Sequence, residues 1–376
     1  MKNNLLILLL AVGVIACTPK YDGYTINATF TGIDSALVIV KTRDARQTEI
    51  PADTVQMVKG KFTLQNKLVT PEPYLVSIQG TTPLDFPLYL ENCVFTITGD
   101  INDAKSIVVT GGEYQSEMDS LAKAKEAITA EYPSMEELIK EYNDPSTTDA
   151  RKQELQTIAR ELSTKVDEIE TAYLEQNPTS RMALLRFATT LGYAEVPVSE
   201  LEEKLAVFTV ALPEGAENRF IQRAEKSIAT LKSIQIGMKA PDFTMDDPKG
   251  NPITLSAFYK QNKITMIDFW AGWCGPCRQF NPTLVQIYKK HQKQGFGILG
   301  VSFDHNENQW TEAVADDKLT WPQVSELKYW DNTAAALYFV RSIPQNIFVD
   351  QDGVIVARRV GGEEMDAFLA DFLKKK

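Results

Sequence analysis

The sequence predicts an α/β domain toward the C-terminal end, an all-β domain toward the N-terminal end and a helical insert between them. Three patterns carry this reading. Residues 24–111 hold short alternating and β-branched runs punctuated by Gly, Asp and Pro, the pattern of a β-sandwich or barrel. Residues 112–235 space apolar positions three or four apart, as amphipathic helices do. Residues 236–376 alternate strand-like and helix-like segments, which signals a sheet with helices on its faces.

The first residues stand outside this scheme. Met1-Lys2 gives a basic start and residues 5–16 are apolar, too short a run to span a bilayer but suited to a signal peptide over 1–16. The run ends Val14-Ile15-Ala16-Cys17, which resembles a bacterial lipobox. That resemblance implies cleavage before Cys17 and lipid on its sulfur and amine, with 17–23 as a lipidated tether. Several acyl chains together would hold the protein on a membrane. An ordinary secretory signal with an incidental cysteine is the alternative.

Composition narrows the function. At about 150 residues per domain, 376 residues leave room for two or three domains. A net charge of −11 repels phosphates, so no nucleic-acid partner is expected. No Rossmann glycine pattern follows a strand and no phosphate-binding loop occurs, so no cofactor is expected. The four cysteines, Cys17, Cys93, Cys274 and Cys277, are too few for a disulfide scaffold and fit one reactive pair plus a spare.

Within 24–111, strands are expected at 25–30, 36–40, 60–64, 74–78, 86–90 and 94–100. In the helical stretch, Leu155, Ile158, Leu162, Val166, Ile169 and Tyr173 line one helix that Asn177-Pro178 stops. Ser199 with Glu202 reads as a capping box ahead of Leu201, Leu205 and Phe208. A further helix covers 217–231. In the last domain, strands are expected at 264–270, 296–303, 346–350 and 354–360, with Asp352-Gly353 as a hairpin turn. Helices are expected at 276–291, 308–316, 333–340 and 363–373.

The chemistry is concentrated in Cys274-Gly275-Pro276-Cys277, between a predicted strand and a predicted helix. Two intervening residues put both sulfurs in one turn, close enough to bridge. At a helix N-terminus, unpaired N–H groups and the dipole favour a thiolate. Cys274 is therefore the expected nucleophile and Cys277 the resolving cysteine. Pro276 fits the first turn, where no N–H is needed. A zinc site is disfavoured, because there is no second Cys pair and 13 residues separate His291 from His305 where zinc motifs have three to five. A structural disulfide is the bland alternative.

The run Ile267-Asp268-Phe269-Trp270-Ala271-Gly272-Trp273-Cys274-Gly275-Pro276-Cys277 resembles the active-site strand and turn of thioredoxin. From Gly237-x-x-Ala240-Pro241-x-Phe243 onward, including Asn281-Pro282 and the region of Trp310, the chain resembles the TlpA-like, membrane-tethered branch of that superfamily. The resemblance implies a thioredoxin-like domain with a central mixed sheet, a redox-active Cys274–Cys277 disulfide, protein disulfides as substrates, and a thiol-transferring membrane protein as reductant. It makes Asp268 the buried carboxylate that moves the proton of the resolving cysteine. It makes Ile343-Pro344 the cis-proline that docks extended substrate, beside Trp273, Gly275 and Pro276. Where that branch often carries Glu three residues after the second cysteine, this chain has Phe280, which favours a broad disulfide reductase over a specialised cytochrome-maturation role. The segment 24–110 resembles the β domain that precedes such modules in some lipoproteins, from which no function transfers.

The expected protein is therefore a lipid-anchored thiol–disulfide oxidoreductase facing the periplasm. A disulfide oxidase or isomerase on the same fold stays open. So does a peroxiredoxin-type peroxidase, although Phe269-Trp270-Ala271-Gly272-Trp273 stands where that class wants a Thr or Ser and a Pro. A non-enzymatic binding protein is opposed by the intact set of Cys274, Cys277, Asp268 and Pro344. Cys93 reads as a buried free thiol or as one half of an intermolecular bridge.

Overall fold

The structure is a computed structural model and describes residues 22–43, 48–80, 83–193 and 195–375. The expected signal peptide, Cys17 and most of the tether lie outside the described residues. Among the described residues no helix is long and apolar enough to cross a membrane. The chain divides into two compact units, one ending at Met182 and one beginning at Ala183. The helical stretch, expected as one insert, is shared between them.

The first unit opens with β1 (Tyr24–Thr31), β2 (Ser35–Arg43), β3 (Glu49–Val58), β4 (Lys61–Asn66), β5 (Glu72–Gln79), β6 (Leu84–Leu90), β7 (Val94–Asp100) and β8 (Asp103–Thr110). They form one continuous sheet in the order β6-β5-β2-β3-β4-β1-β7-β8. Every second residue of β1 is buried, so Tyr24, Ile26, Ala28 and Phe30 face a core shared with Val76, Phe86, Phe95 and Ile97. Strands β1 and β6 stand five places apart in the order, about 24 Å in a flat sheet at ~4.8 Å per strand. Yet the rings of Phe30 and Phe86 are 6.2 Å apart. The sheet therefore curls over its own core, and a single rolled sheet replaces the two layers of a sandwich.

Strands β3 and β8 escape a reading of the sequence. Met57 is the one fully buried residue of β3, and β8 has none. Each strand alternates only near its end, where Val55 and Met57, or Ile107 and Val109, face the core, and its first residues are exposed, which leaves too short a pattern to mark a half-buried strand. At the end of β8, Gly111 has φ +108°, and a Cβ there would lie 2.1 Å from the Val94 carbonyl oxygen. Glycine is what lets the chain turn there into α1 (Glu113–Thr129). Glu91 accepts the Tyr114 N–H at 3.0 Å at the start of α1, and Gln115 accepts the Tyr89 N–H of edge strand β6 at 2.9 Å. Helices α2 (Met135–Asn143) and α3 (Asp149–Gln176) complete the unit, and Leu155 and Leu162 of the predicted stripe are buried.

Helix α4 (Arg181–Thr190) straddles the boundary, and α5 (Val198–Ala211) and α6 (Arg219–Ser233) follow it. The capping box expected at Ser199 and Glu202 is absent. The N-cap of α5 is Pro197, which fixes the turn without a side-chain bond and leaves Ser199 inside the first turn. The box belongs instead to Ser134 and Glu137 at the start of α2.

The remainder comprises β9 (Thr244–Asp246), β10 (Pro252–Thr254), α7 (Leu255–Tyr259), β11 (Ile264–Trp270), α8 (Gly275–His291), β12 (Phe296–Ser302), α9 (Glu307–Asp316), β13 (Gln323–Ser325), α10 (Thr333–Leu337), β14 (Gln345–Asp350), β15 (Ile355–Arg358) and α11 (Gly362–Lys375). The sheet order is β10-β9-β13-β12-β11-β14-β15. Strands β11, β12 and β13 run parallel, β14 runs antiparallel to β11, and β15 runs antiparallel to β14, which is the expected mixed sheet of a thioredoxin-like domain. Every residue of β11 and β12 is buried. Helix α10 stops short of the predicted 340 because Phe339, at φ +50°, leaves the helical region. Helices α4 and α5 are joined to this domain by Arg359, which donates to the Gly192 and Tyr193 carbonyls, the latter at 3.0 Å, and pairs with Glu195 at 3.2 Å.

Because the rolled sheet closes through side chains at its seam, Phe86→Ala is expected to destabilise the protein by about 3–5 kcal/mol. The check is the free energy of the corresponding transition in urea.

Candidate active site

Strand β11 delivers the site. After Trp270 the chain turns, with the Cys274 N–H donating to the Ala271 carbonyl at 3.1 Å, and α8 starts at once. Cys274 is the N-cap of α8, and its Sγ accepts the Cys277 N–H at 3.2 Å. Cys274 and Cys277 form a disulfide with Cα atoms 5.3 Å apart. Both are buried, Cys274 with 4% of its surface exposed and Cys277 with 1%. Their neighbour Gly275 faces open space, since a Cβ there would meet no atom within 4 Å. Pro276 occupies the first turn of α8.

The loop is held from both sides. Asp304, fully buried, accepts the Gly272 N–H at 2.8 Å and the Ser302 hydroxyl at 2.7 Å. Arg278 donates to the Gly272 carbonyl at 3.2 Å and to Asp317 at 2.5 Å, and Asn281 also donates to Asp317, at 2.7 Å. None of Asp304, Arg278 or Asp317 stood out in the sequence. The available signal was a Ser and an Asp closing the apolar run of β12. Trp270 donates from Nε1 to Gln323 at 2.9 Å. That amide has room because a Cβ at Gly300 would lie 2.1 Å from its oxygen.

Trp273 is half-buried and donates from Nε1 to the Phe303 carbonyl at 3.3 Å. Its ring lies 5.1 Å from that of Tyr329 and 6.4 Å from that of Trp330, making an aromatic rim. The Ile343–Pro344 peptide is cis. Phe269 of β11 pairs with Gln345, the first residue of the antiparallel β14. Pro344 thus sits at the sheet end where the cysteine loop leaves β11. Pro344 and Phe280 line a groove of about 370 Å³ there.

Asp268 lies inside β11, between Gly300 and Asn346 on the flanking strands. It is buried, and its Oδ2 has no hydrogen-bond partner. Burial alone pushes its pKa up to about 7, because a low-dielectric site disfavours the charged form. Cys93 is a free, half-buried thiol against the β core, its pKa pushed up to about 12 by burial and then by Glu91. Among the described residues no cluster could hold a metal.

Residues 236–358 match the AhpC/TSA family. The C-terminal domain belongs to that family. Residues 24–118 match a domain of unknown function, DUF4369. The chain is similar to thiol-disulfide oxidoreductase ResA of Bacillus thuringiensis subsp. konkukian, at 26% identity over 144 residues, 38% of this chain and 80% of that one. It is similar to ResA of Geobacillus kaustophilus, at 29% identity over 123 residues, 33% of this chain and 68% of that one. Among solved structures, the thioredoxin domain of a thiol-disulfide oxidoreductase from Bacteroides vulgatus is 33% identical, covering 38% of this chain and 99% of that one at a TM-score of 0.35. The AhpC/TSA domain of this chain is a thiol–disulfide oxidoreductase of thioredoxin fold.

The raised pKa of Asp268 has a consequence for stability. The folded value, about 7, lies above the ordinary 3.8, so the folded state holds the proton more tightly than the unfolded one. The carboxyl costs nothing below about pH 4, and the penalty grows as pH rises to 7. Asp268→Asn removes that dependence. The stability of the variant relative to the parent is expected to improve by up to about 4 kcal/mol from pH 4 to pH 8, read from paired urea titrations at the two pH values.

Proposed function

We propose that this protein is a lipid-anchored reductase of protein disulfides on the periplasmic side of a membrane, working through Cys274 and Cys277. The observation that carries the chemistry is Cys274 Sγ at the N-terminus of α8, accepting the Cys277 N–H. The same N–H and the positive helix end stabilise a thiolate there. A lipobox-like Val14-Ile15-Ala16-Cys17 after an apolar leader supports the anchor and the compartment.

In the reduced enzyme, the Cys274 thiolate attacks one sulfur of a substrate disulfide. The substrate S–S bond breaks, its other sulfur leaves as a thiolate and takes up a proton, and a mixed disulfide joins Cys274 to the substrate. Cys277 then gives its proton to the Asp268 carboxylate, whose pKa near neutrality suits it to accept one. The Cys277 thiolate attacks Cys274 Sγ, the Cys274–Cys277 bond forms, and the second substrate sulfur departs. Two electrons have moved from the cysteine pair to the substrate. A dithiol donor, such as a thiol-transferring membrane protein, reverses these steps on the enzyme and restores it. Trp273, Gly275, Pro276, Ile343 and Pro344 form the surface on which an extended substrate chain docks.

Two measurements test this reading. In graded thiol–disulfide buffers, with alkylation to count free cysteines, the pair is expected to titrate toward the thioredoxin end of the scale, on the order of −270 mV. A potential near about −120 mV would make it a disulfide-forming enzyme instead. Asp268→Asn is expected to slow resolution of the mixed disulfide on the order of a hundredfold at neutral pH, so that the Cys274 adduct accumulates and is seen by mass spectrometry. Unchanged resolution would remove Asp268 from the mechanism.

A further inference from the structure

Beside the aromatic rim runs a second groove that the exchange chemistry does not use. It has a volume of about 680 Å³ and lies between α6, the loop after α4 and the segment from α10 to Arg341. Tyr193, Lys226, Thr230, Trp330, Phe339 and Arg341 line it, and no carboxylate stands among its described lining residues. One wall follows from helix periodicity. Arg219, Arg223, Lys226 and Thr230 recur at steps of four, three and four, so they share a single stripe. Ile221, Ala224, Ile228 and Leu231 are buried on another face of α6, and Glu225, the acid of this helix, falls off the basic stripe.

Across the groove, the Arg341 guanidinium sits over the Phe339 ring at 4.2 Å. Burial, and then the neighbouring Arg223, hold the pKa of Arg341 below the usual arginine range. Like charges thus converge on one groove of a chain whose net charge is −11, an arrangement that repels itself until an anion fills it. The groove also adjoins the chemistry. The Trp330 ring on its edge is 6.4 Å from Trp273, and Arg341 precedes Pro344 by three residues.

We infer that this groove binds an acidic, extended segment of the substrate polypeptide, one that flanks the disulfide being exchanged. Its carboxylates meet Lys226 and Arg341, the planar guanidinium being matched to a carboxylate. Its apolar side chains lie against Tyr193, Trp330 and Phe339. The inference rests on the exchange chemistry proposed for Cys274, and the helices ahead of the thioredoxin fold acquire a role in selecting substrate.

The test uses two synthetic peptides with the same internal disulfide, one flanked by Asp and Glu and one by Lys. The reduced protein is mixed with each and the exchange rate followed. Wild type is expected to react about tenfold faster with the acidic peptide at low salt, the advantage shrinking as salt rises to about 0.5 M. Lys226→Glu with Arg341→Glu is expected to reverse the preference, and Lys226→Gln with Arg341→Gln to abolish it should the reversed protein not fold. Hydroxyethyl disulfide, too small to reach from Cys274 into the groove, is run on every sample. If it fails to react with wild type, the exchange reading itself is wrong. If it reacts while wild type treats both peptides alike, or while the preference survives both double variants, the groove assignment is overturned.

Discussion

Strand β11 is enclosed on both faces and hydrogen-bonded along both edges, to β12 and β14. A strand in that position cannot slip, because a shift of one residue would exchange its two sets of side chains. Its end is therefore a fixed point, and the site is assembled from it. The turn after Trp270 puts Cys274 on the first residue ahead of α8. Antiparallel pairing of β14 brings the cis Ile343–Pro344 peptide to the same end of the sheet. The register also decides that Asp268 lies inside the strand, away from water.

Two buried carboxylates stand near the cysteine loop, and they are treated in opposite ways. One oxygen of Asp304 accepts a backbone N–H and a hydroxyl, so this acid fixes the backbone ahead of Trp273. Asp268 Oδ2 has no partner and its carboxyl is pushed to a pKa of about 7. In a medium of low dielectric, desolvation disfavours the charged form of Asp268, and no hydrogen bond to Oδ2 offsets it. One acid serves geometry. The other is left able to take and release a proton near neutrality.

Much of this was legible in the sequence wherever burial imposed a period. β11 falls where the apolar run puts it and α8 covers the expected 276–291, and Cys274, Cys277 and Asp268 lie at the expected places in the strand, turn and helix. What escaped has a common physical cause. β3 carries its single fully buried side chain at Met57 and alternates only over its second half, too short a stretch to stand out. The rolled sheet depends on contact between strands five places apart, which no local pattern records. Ser199 and Glu202 have the spacing of a capping box, but Pro197 ahead of them had already set the start of α5. Asp304 and Arg278 act on Gly272 from distant stretches of chain or through a backbone carbonyl, so their roles appear only when the fold brings them there.

The attachment of α4 and α5 to the C-terminal domain separates two boundaries that are often equated. Family similarity begins at residue 236, whereas the compact unit begins at Ala183. Between the two lie the Gly192 and Tyr193 carbonyls that receive Arg359, and Glu195, which stands 3.9 Å from an Arg358 side chain only 6% exposed. A chain cut at the family boundary would keep both arginines and lose what neutralises them. The segment matched by the family is thus shorter than the compact unit in which it sits, and the charges of that unit are balanced from outside the matched segment.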